Sequence, residues 1–144
     1  MKVNEPMTRE DFEKYYRLRW QVLRKPWEQP KGSERDELDA TSTHAFLKNK
    51  LGEVIAIGRL HFNSETEGQI RFMAVSEKYR GNNYGVGILK YLEEKAKANG
   101  AEKIILEARS TAVSFYKRNG YELLKKSFVL FDAIQHYRMQ KLLK

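Results

Sequence analysis

One stretch limits the fold of this chain more than any other: a short strand that passes through a Gly/Asn-rich loop directly into a helix. It runs from Met73 to Gly85 and reads MAVSEKYRGNNYG. Glycine, and next to it asparagine, tolerates the left-handed backbone angles that such a loop needs. The first turn of a helix carries unpaired N–H groups and the positive end of the helix dipole. With the fixed charge of Arg80, the stretch predicts a site for a phosphate or pyrophosphate group.

Two well-known phosphate motifs fit this stretch poorly. The pattern G-x-x-x-x-G-K-[ST] of nucleoside triphosphatases is absent. Gly85 and Gly87 resemble the start of a dinucleotide fingerprint, and Glu107 ends the next strand at about the right distance. However, Lys90 occupies the third glycine position, and the dinucleotide turn follows its strand directly, whereas Gly85 lies 10 residues beyond Val75. From the residues alone, a plain turn before a helix remains an alternative.

The elements around the loop predict a mixed α/β fold in one domain, residues 1–144. Periodicity and turn residues predict a short strand in residues 1–5, a helix from Thr8 to Leu23, strands at His44–Leu47, Val54–Phe62 and Ile70–Val75, a helix at Gly85–Asn99, a strand at Lys103–Leu106, a helix at Thr111–Arg118, and strands at Tyr121–Leu124 and Ala133–Leu142. Short connections indicate an antiparallel meander. The helix between two strands in the middle indicates one parallel crossover, so we expect a mostly antiparallel sheet flanked by helices.

Composition narrows the class of protein and of site. The net charge of +8 attracts polyanions, but the basic residues are scattered, and we expect neither a nucleic-acid nor a membrane partner. The absence of cysteine excludes disulfides, thiolate metal sites and a cysteine nucleophile. His44, His61 and His136 show no metal-ligand spacing, so no metal is expected. The first residues lack the apolar region of a secretory signal, and we expect a cytoplasmic protein.

Two motifs resemble the GNAT superfamily of N-acetyltransferases. Residues Arg80 to Gly85 resemble the family's [QR]-x-x-G-x-[GA], with Asn83 in place of the first glycine. Residues 107–121, EARSTAVSFYKRNGY, resemble N-x-x-A-x-x-F-Y-x-x-x-G-[FY], with Arg109 where asparagine is common. The resemblance covers nearly the whole chain. It implies the acyl-CoA N-acyltransferase fold, with acetyl-CoA as cosubstrate and a primary amine, not identified by the sequence, as acceptor.

The resemblance also implies roles for particular residues. The CoA pyrophosphate would lie on the loop and the pantetheine arm along the preceding strand; the implied cofactor-binding residues are Met73, Val75, Arg80, Gly81, Asn82, Asn83, Tyr84, Gly85 and Tyr116. The Val75 N–H is the implied oxyanion donor. Tyr116 is the implied general acid for the CoA thiolate. Pairing of late strands into a homodimer is a further expectation from the fold.

The general base and the acceptor pocket are less well defined. Glu107, at a strand end where the cleft should open, is our candidate base; Glu34, His44, His61 and a water relay are alternatives. The acceptor pocket should form between residues 24–39 and the strand that carries Arg59 and His61, with Arg24, Arg59 and His61 as candidate substrate residues.

Two functions of other classes remain open at this point. The same fold could serve as an acyl-CoA-binding sensor or scaffold without turnover. A basic nucleic-acid-binding domain is the third hypothesis, although the sequence lacks a recognition element that interleaves aromatic and basic residues.

Overall fold

The computed structural model describes residues 2–144, and within them six strands form one mixed sheet in the order β1-β2-β3-β4-β6-β5. The helices are α1 (Arg9–Leu23), α2 (Tyr84–Ala98) and α3 (Val113–Arg118), and the strands are β1 (Thr43–Lys48), β2 (Val54–Phe62), β3 (Glu67–Val75), β4 (Lys103–Arg109), β5 (Glu122–Leu130) and β6 (Ile134–Leu142). Between named strands of the described residues, only β3 and β4 pair in parallel, and α2 connects them. The predicted mixed fold with a central crossover is therefore confirmed.

The structure differs from the predicted elements in several places. Strand β3 begins at Glu67 and not at Ile70, and β4 ends at Arg109 and not at Leu106. The predicted strand at residues 1–5 is wrong for residues 2–5, where a single bridge joins Asn4 to Phe46; residue 1 lies outside the described part. Strand β5 extends to Leu130, beyond the predicted end at Leu124. Its continuation is exposed and lacks alternation, because β5 is an edge strand and needs no buried face there. Helix α3 begins only after a 3₁₀ turn at Ser110–Ala112.

The two faces of the sheet carry different side chains. Helix α2 packs Ile88, Leu89 and Leu92 into the larger apolar core on one face. Helix α1 covers part of the other face with Tyr15 and Leu18. Within residues 2–144, no helix has both the length and the apolar composition that crossing a bilayer requires.

Strand β3 contains a bulge that faces a glycine of β2. Arg71 pairs with Arg59 and Ala74 with Ile57, so that two residues of β3 oppose Gly58 alone. The first of the two, Phe72, has a φ of 57°, a left-handed conformation that is rare for an aromatic residue. A bulge bends its strand and increases the local twist. It therefore redirects the second half of β3.

Strands β3 and β4 separate soon after they begin to pair. Their ladder joins only Glu67–Gln69 to Lys103–Ile105. Beyond it, β3 continues along β2 to Val75, and β4 continues along β6 to Arg109. A wedge-shaped cleft opens between the two strands at the end where α2 and α3 begin.

Gly58→Ala should destabilise the protein, because the bulge leaves no room for a β-carbon. An ideal Cβ at this position would lie 2.7 Å from both the Ile88 Cγ2 and the Met73 Sδ atoms. Overpacking of this kind typically lowers the free energy of unfolding by about 1–3 kcal/mol. The melting temperature should fall by about 2–4 °C for each kcal/mol.

Gly87→Ala is the matched control for this prediction. Gly87 lies inside α2, and its Cβ would meet only the Val3 Cγ2 atom, at 3.7 Å. Replacing a helical glycine by alanine should raise the free energy of unfolding by about 0.5–1 kcal/mol. Urea unfolding of both variants checks the pair, and equal stability of Gly58→Ala and the wild type would contradict the account of the bulge.

Candidate functional site

A cavity of about 140 Å³ lies in the cleft where β3 and β4 diverge. One wall is Ile70–Met73 of β3 and the other is Leu106–Arg109 of β4. Arg24 at the end of α1, Tyr116 on α3, and Phe128 and His136 on the last two strands complete it. The cavity thus joins segments that are distant in the sequence.

The end of β3 offers backbone groups to this cleft. Ser76 N–H donates to the Ile55 carbonyl of β2 at 2.8 Å. Because backbone groups of an antiparallel strand point alternately to either side, the N–H and C=O groups of Val75 point away from β2. Strand β4 has already diverged there, and the Val75 carbonyl accepts from Arg80 Nε at 3.2 Å. The Val75 N–H is left on the cleft side, and Met73 lines the cavity.

The loop before α2 collects backbone donors. Among residues 2–144, no protein acceptor receives a hydrogen bond from the N–H groups of residues 81–85. Gly81 and Asn83 have positive φ values of 83° and 62°, which turn the chain into the helix. The Asn82 side chain donates to the Tyr79 and Arg80 carbonyls at 3.1 and 3.3 Å and so fixes the loop. This arrangement suits an anion at the helix N-terminus.

Tyr116 places a phenol in the cavity. The residue is 7% exposed, and its hydroxyl has no hydrogen-bond partner within the described residues. Its ring packs edge-to-face against Phe115 and Tyr121. Burial raises the pKa of the phenol above its usual value of 10, so the hydroxyl keeps its proton and is a hydrogen-bond donor.

Glu107 is partly committed to an ion pair. Its Oε1 atom accepts from Arg138 Nε at 2.7 Å. Its Oε2 atom is buried and has no hydrogen-bond partner in the described part of the chain. One oxygen of this carboxylate is therefore available to a group that enters the cavity.

His136 is a second candidate base, which the sequence analysis did not select. Its Nδ1–H donates to the Ile134 carbonyl at 3.0 Å, so the free lone pair lies on Nε2, which has no partner within residues 2–144. The ring is 5% exposed and stacks on Phe128 at 4.4 Å. Burial, reinforced by nearby arginines, lowers the pKa of His136 below its usual 6.5, so the imidazole is neutral at pH 7.

Of the three candidate substrate residues, only one lines the cavity. Arg24 lines the cavity. Arg59 is fully buried, and its Nη1 atom lies 2.6 Å from Asp36 Oδ1 and 3.0 Å from Asp39 Oδ1. His61 is bonded through its two ring nitrogens to Arg59 and Asn63. Neither Arg59 nor His61 is part of the cavity wall, and their contacts favour a role in holding the neighbouring loop.

The two remaining candidate bases also lie outside the cavity wall. His44 bonds through Nδ1 to the Tyr15 hydroxyl at 2.7 Å and through Nε2 to the Asp39 carbonyl at 2.8 Å. Glu34 accepts from the Gly32 N–H and pairs with Arg35. Within residues 2–144, no three histidine or carboxylate residues form a group that could hold a metal ion.

Comparison with known proteins places this geometry in a family. The model of the acetyltransferase (GNAT) family matches residues 10–121. The chain is 32% identical over 133 residues to the uncharacterized N-acetyltransferase YjcF of Bacillus subtilis, covering 92% of this chain and 93% of that protein.

Solved structures show the same fold. A Lactobacillus plantarum protein assigned as an N-acetyltransferase superposes with a TM-score of 0.87 at 22% identity, over 99% of this chain and 98% of the other. A GNAT family acetyltransferase from Elizabethkingia anophelis with acetyl-CoA bound gives a TM-score of 0.74 at 17% identity, over 89% and 90% of the two chains. With the family match over residues 10–121, these findings show that the chain belongs to the GNAT acetyltransferase family.

Proposed function

We propose that this protein transfers an acetyl group from acetyl-CoA to a primary amine by direct attack in the cleft between β3 and β4. The observation that carries the proposal is the early end of the β3–β4 ladder. It leaves the Val75 N–H without a partner on β4, at the end of the cleft whose cavity is lined by the phenol of Tyr116 and the imidazole of His136. The unbonded N–H groups before α2 stand at the end of the same strand.

The backbone groups along the cleft suit the chemistry of acetyl-CoA. The pyrophosphate would accept hydrogen bonds from the N–H groups of residues 81–85, and Arg80 adds a positive charge beside them. The amide groups of the pantetheine arm would pair with the free edge of β3 at Met73 and Val75, as an added strand does. The Elizabethkingia protein of the same fold has acetyl-CoA bound, which supports acetyl-CoA as the ligand.

The chemical step needs a base, an oxyanion donor and a donor for the leaving group. The amine nitrogen attacks the thioester carbonyl, and its proton passes to His136 Nε2. The Val75 N–H stabilises the oxyanion of the tetrahedral intermediate. The C–S bond then breaks, the amide forms, and the CoA thiolate leaves.

Tyr116 acts on the leaving group mainly as a hydrogen-bond donor. A thiol has a pKa near 8.5. Burial raises the phenol's pKa above 10, so full proton transfer to the thiolate is uphill. A hydrogen bond from the phenol nevertheless stabilises the developing negative charge on sulfur.

A catalytic function accounts for more of the cavity-lining side chains than a ligand-sensing function does. A sensor needs the N–H groups of the loop and the edge of β3. It has no use for a buried phenol without a partner or for a neutral imidazole with a free Nε2 atom, both of which line the cavity. Burying unpaired polar groups is costly, and reactive sites are where such costs are tolerated.

Asn83→Asp should weaken acetyl-CoA binding while stabilising the free protein. The change is nearly isosteric and puts a carboxylate among the N–H groups that would hold the pyrophosphate; like-charge contact costs several kcal/mol, so the dissociation constant should rise at least about tenfold. A negative charge near the N-terminus of α2 should add about 0.3–1 kcal/mol of stability without ligand. Calorimetric titration and thermal unfolding measure the two effects.

Asn99→Asp is the matched control at the other end of α2. Asn99 caps the C-terminus of the helix, where a negative charge opposes the dipole. This variant should be slightly less stable and bind acetyl-CoA like the wild type. Equal affinity of the Asn83→Asp and Asn99→Asp variants would rule out the loop as the pyrophosphate site.

Tyr116→Phe should slow catalysis without weakening acetyl-CoA binding or the fold. The hydroxyl has no partner to lose among residues 2–144, whereas kcat should fall by about 10²-fold, the lower end of what loss of a preorganised hydrogen-bond donor costs. The matched control is Tyr121→Phe, whose hydroxyl donates to Glu93 Oε2 at 2.8 Å. That variant should lose stability and keep its kcat, and a fall of kcat in Tyr121→Phe alone would contradict the role of Tyr116.

His136→Gln should remove the acidic limb of the pH–kcat profile. The neutral imidazole is the base, and its pKa is lowered, so wild-type kcat should hold through neutral pH and decline as the pH falls below about 6.5. In the variant, kcat should be lower by about 10²-fold, and this limb should be absent. A limb that survives in His136→Gln and disappears in His61→Gln would assign the base to His61 instead.

A further inference from the structure

Two arginines from distant parts of the chain converge on one carbonyl oxygen at the cavity. Arg24 Nη1 and Arg109 Nη2 both donate to the carbonyl of Leu23, at 3.1 and 3.2 Å. Leu23 is the last residue of α1, where the helix dipole is negative. A third arginine, Arg71 of β3, lines the same cavity.

The carboxylates near these arginines are committed to other partners. Their ion pairs are Asp39 with Arg19 and Arg59, Asp36 with Arg59, Glu34 with Arg35, and Glu107 with Arg138. Arg71 reaches only Asp36 Oδ2, at 3.5 Å. Within residues 2–144, neither Arg24 nor Arg109 has a carboxylate within 4.0 Å. The cavity wall therefore carries excess positive charge.

Burial and mutual repulsion make this excess positive charge energetically unfavourable. All three guanidinium groups are partly buried, and burial lowers the pKa of each. For Arg24, repulsion from Arg109 and Arg71 adds to the effect. The Phe72 ring, 4.6 Å from Arg71 Cζ and 5.8 Å from Arg24 Cζ, offsets part of the cost through cation–π contact. Of these three like charges, ion pairing within residues 2–144 compensates only that of Arg71, and such an arrangement is suited to an anionic ligand.

The same cavity also contains two hydrogen-bond acceptors. Glu107 Oε2 has no partner, and His136 Nε2 is a free acceptor. These two atoms suit the N–H groups of an amine, whereas the planar guanidinium groups suit an oxyanion. The cavity thus has one group of atoms for each end of a molecule that is both an amine and an acid.

We infer that the amine acceptor carries an oxyanion, a carboxylate or a phosphate, which Arg24, Arg71 and Arg109 bind while the amine faces His136. The inference rests on the proposed acetyl transfer and narrows its acceptor to small acidic amines. Polycationic acceptors such as polyamines are disfavoured, because the same arginines repel them.

The first test compares pairs of amines that differ in the acidic group. Acetyl-CoA-dependent release of free thiol is measured with β-alanine against ethylamine, O-phosphoethanolamine against ethanolamine, and spermidine as the polycation. Leaving a buried charge without its partner costs 2 kcal/mol or more, so kcat/KM should favour the acidic member by about 30-fold or more. The two pairs distinguish a carboxylate from a phosphate. Equal or better turnover of ethylamine, of ethanolamine or of spermidine overturns the inference.

The second test measures anion binding and does not depend on turnover. Malonate and inorganic phosphate are titrated at constant ionic strength, set with sodium chloride, and the melting temperature is followed with CoA present at saturation to occupy the loop before α2. At least one of the two anions should raise the melting temperature saturably. The same titration can be made without CoA on the Asn83→Asp variant, because its added carboxylate keeps anions off the loop before α2.

Arg109→Gln and Arg118→Gln form the matched pair for this measurement. Arg109→Gln should abolish the anion-induced shift. Without anion, the variant loses the bond to the Leu23 carbonyl as well as the repulsion of Arg24, so each shift is measured from the variant's own melting temperature. Arg118 is exposed at the end of α3, and its replacement should leave the shift intact. A shift that persists in Arg109→Gln, or the absence of any shift in the wild type, overturns the inference. A failure to bind acetyl-CoA overturns the proposed function instead, and the anion measurement still decides the arginine site.

Discussion

The cleft of this protein depends on how early β3 and β4 stop pairing. Three positions of parallel ladder hold them together, and a bulge at Phe72 then turns β3 away while β4 stays with β6. Gly58 makes the bulge possible, since any β-carbon there would overlap Met73 and Ile88. Without this divergence the backbone of Val75 would bond to a neighbouring strand, and no cavity would separate the two halves of the sheet.

A buried ion network determines which arginines remain free. Asp39 Oδ1 accepts from Arg19 at 2.9 Å and from Arg59 at 3.0 Å, which ties α1 to β2 through the loop after α1. Such buried pairs add little net stability, because desolvation offsets their attraction. They matter here for position. They occupy carboxylates of the loop, and among residues 2–144 Arg24 and Arg109 are left without ion pairs beside the cavity. Arginines that form buried ion pairs and an arginine that lines the cavity thus lie within one cluster, around the Phe72 ring.

The sequence predicted the features that depend on local patterns and missed those that depend on register. The helix that starts at the Gly/Asn loop, the meander and the crossover follow from periodicity and turn residues, and the structure confirms them. The sequence did not indicate His136 as a base. The residue reaches the cavity only because the β4–β6 register pairs it with Arg109, and no local pattern predicts that register. Arg59 was predicted to be a substrate residue because its strand was expected to face the acceptor pocket. Its full burial could not be foreseen, because its ion-pair partners lie in an irregular loop without periodicity.

The most direct test of the account is where acetyl-CoA binds. Amide NMR spectra of the wild-type protein, recorded during titration with acetyl-CoA, report each backbone N–H separately. The account predicts saturable shifts that are largest at residues 81–85 and at Val75, where N–H groups lack protein acceptors. The β1–β2 ladder, whose N–H groups are already paired, should change little. Shifts confined to other surfaces, or none at saturating ligand, would contradict the central claim that the divergence of β3 and β4 forms an acetyl-CoA site.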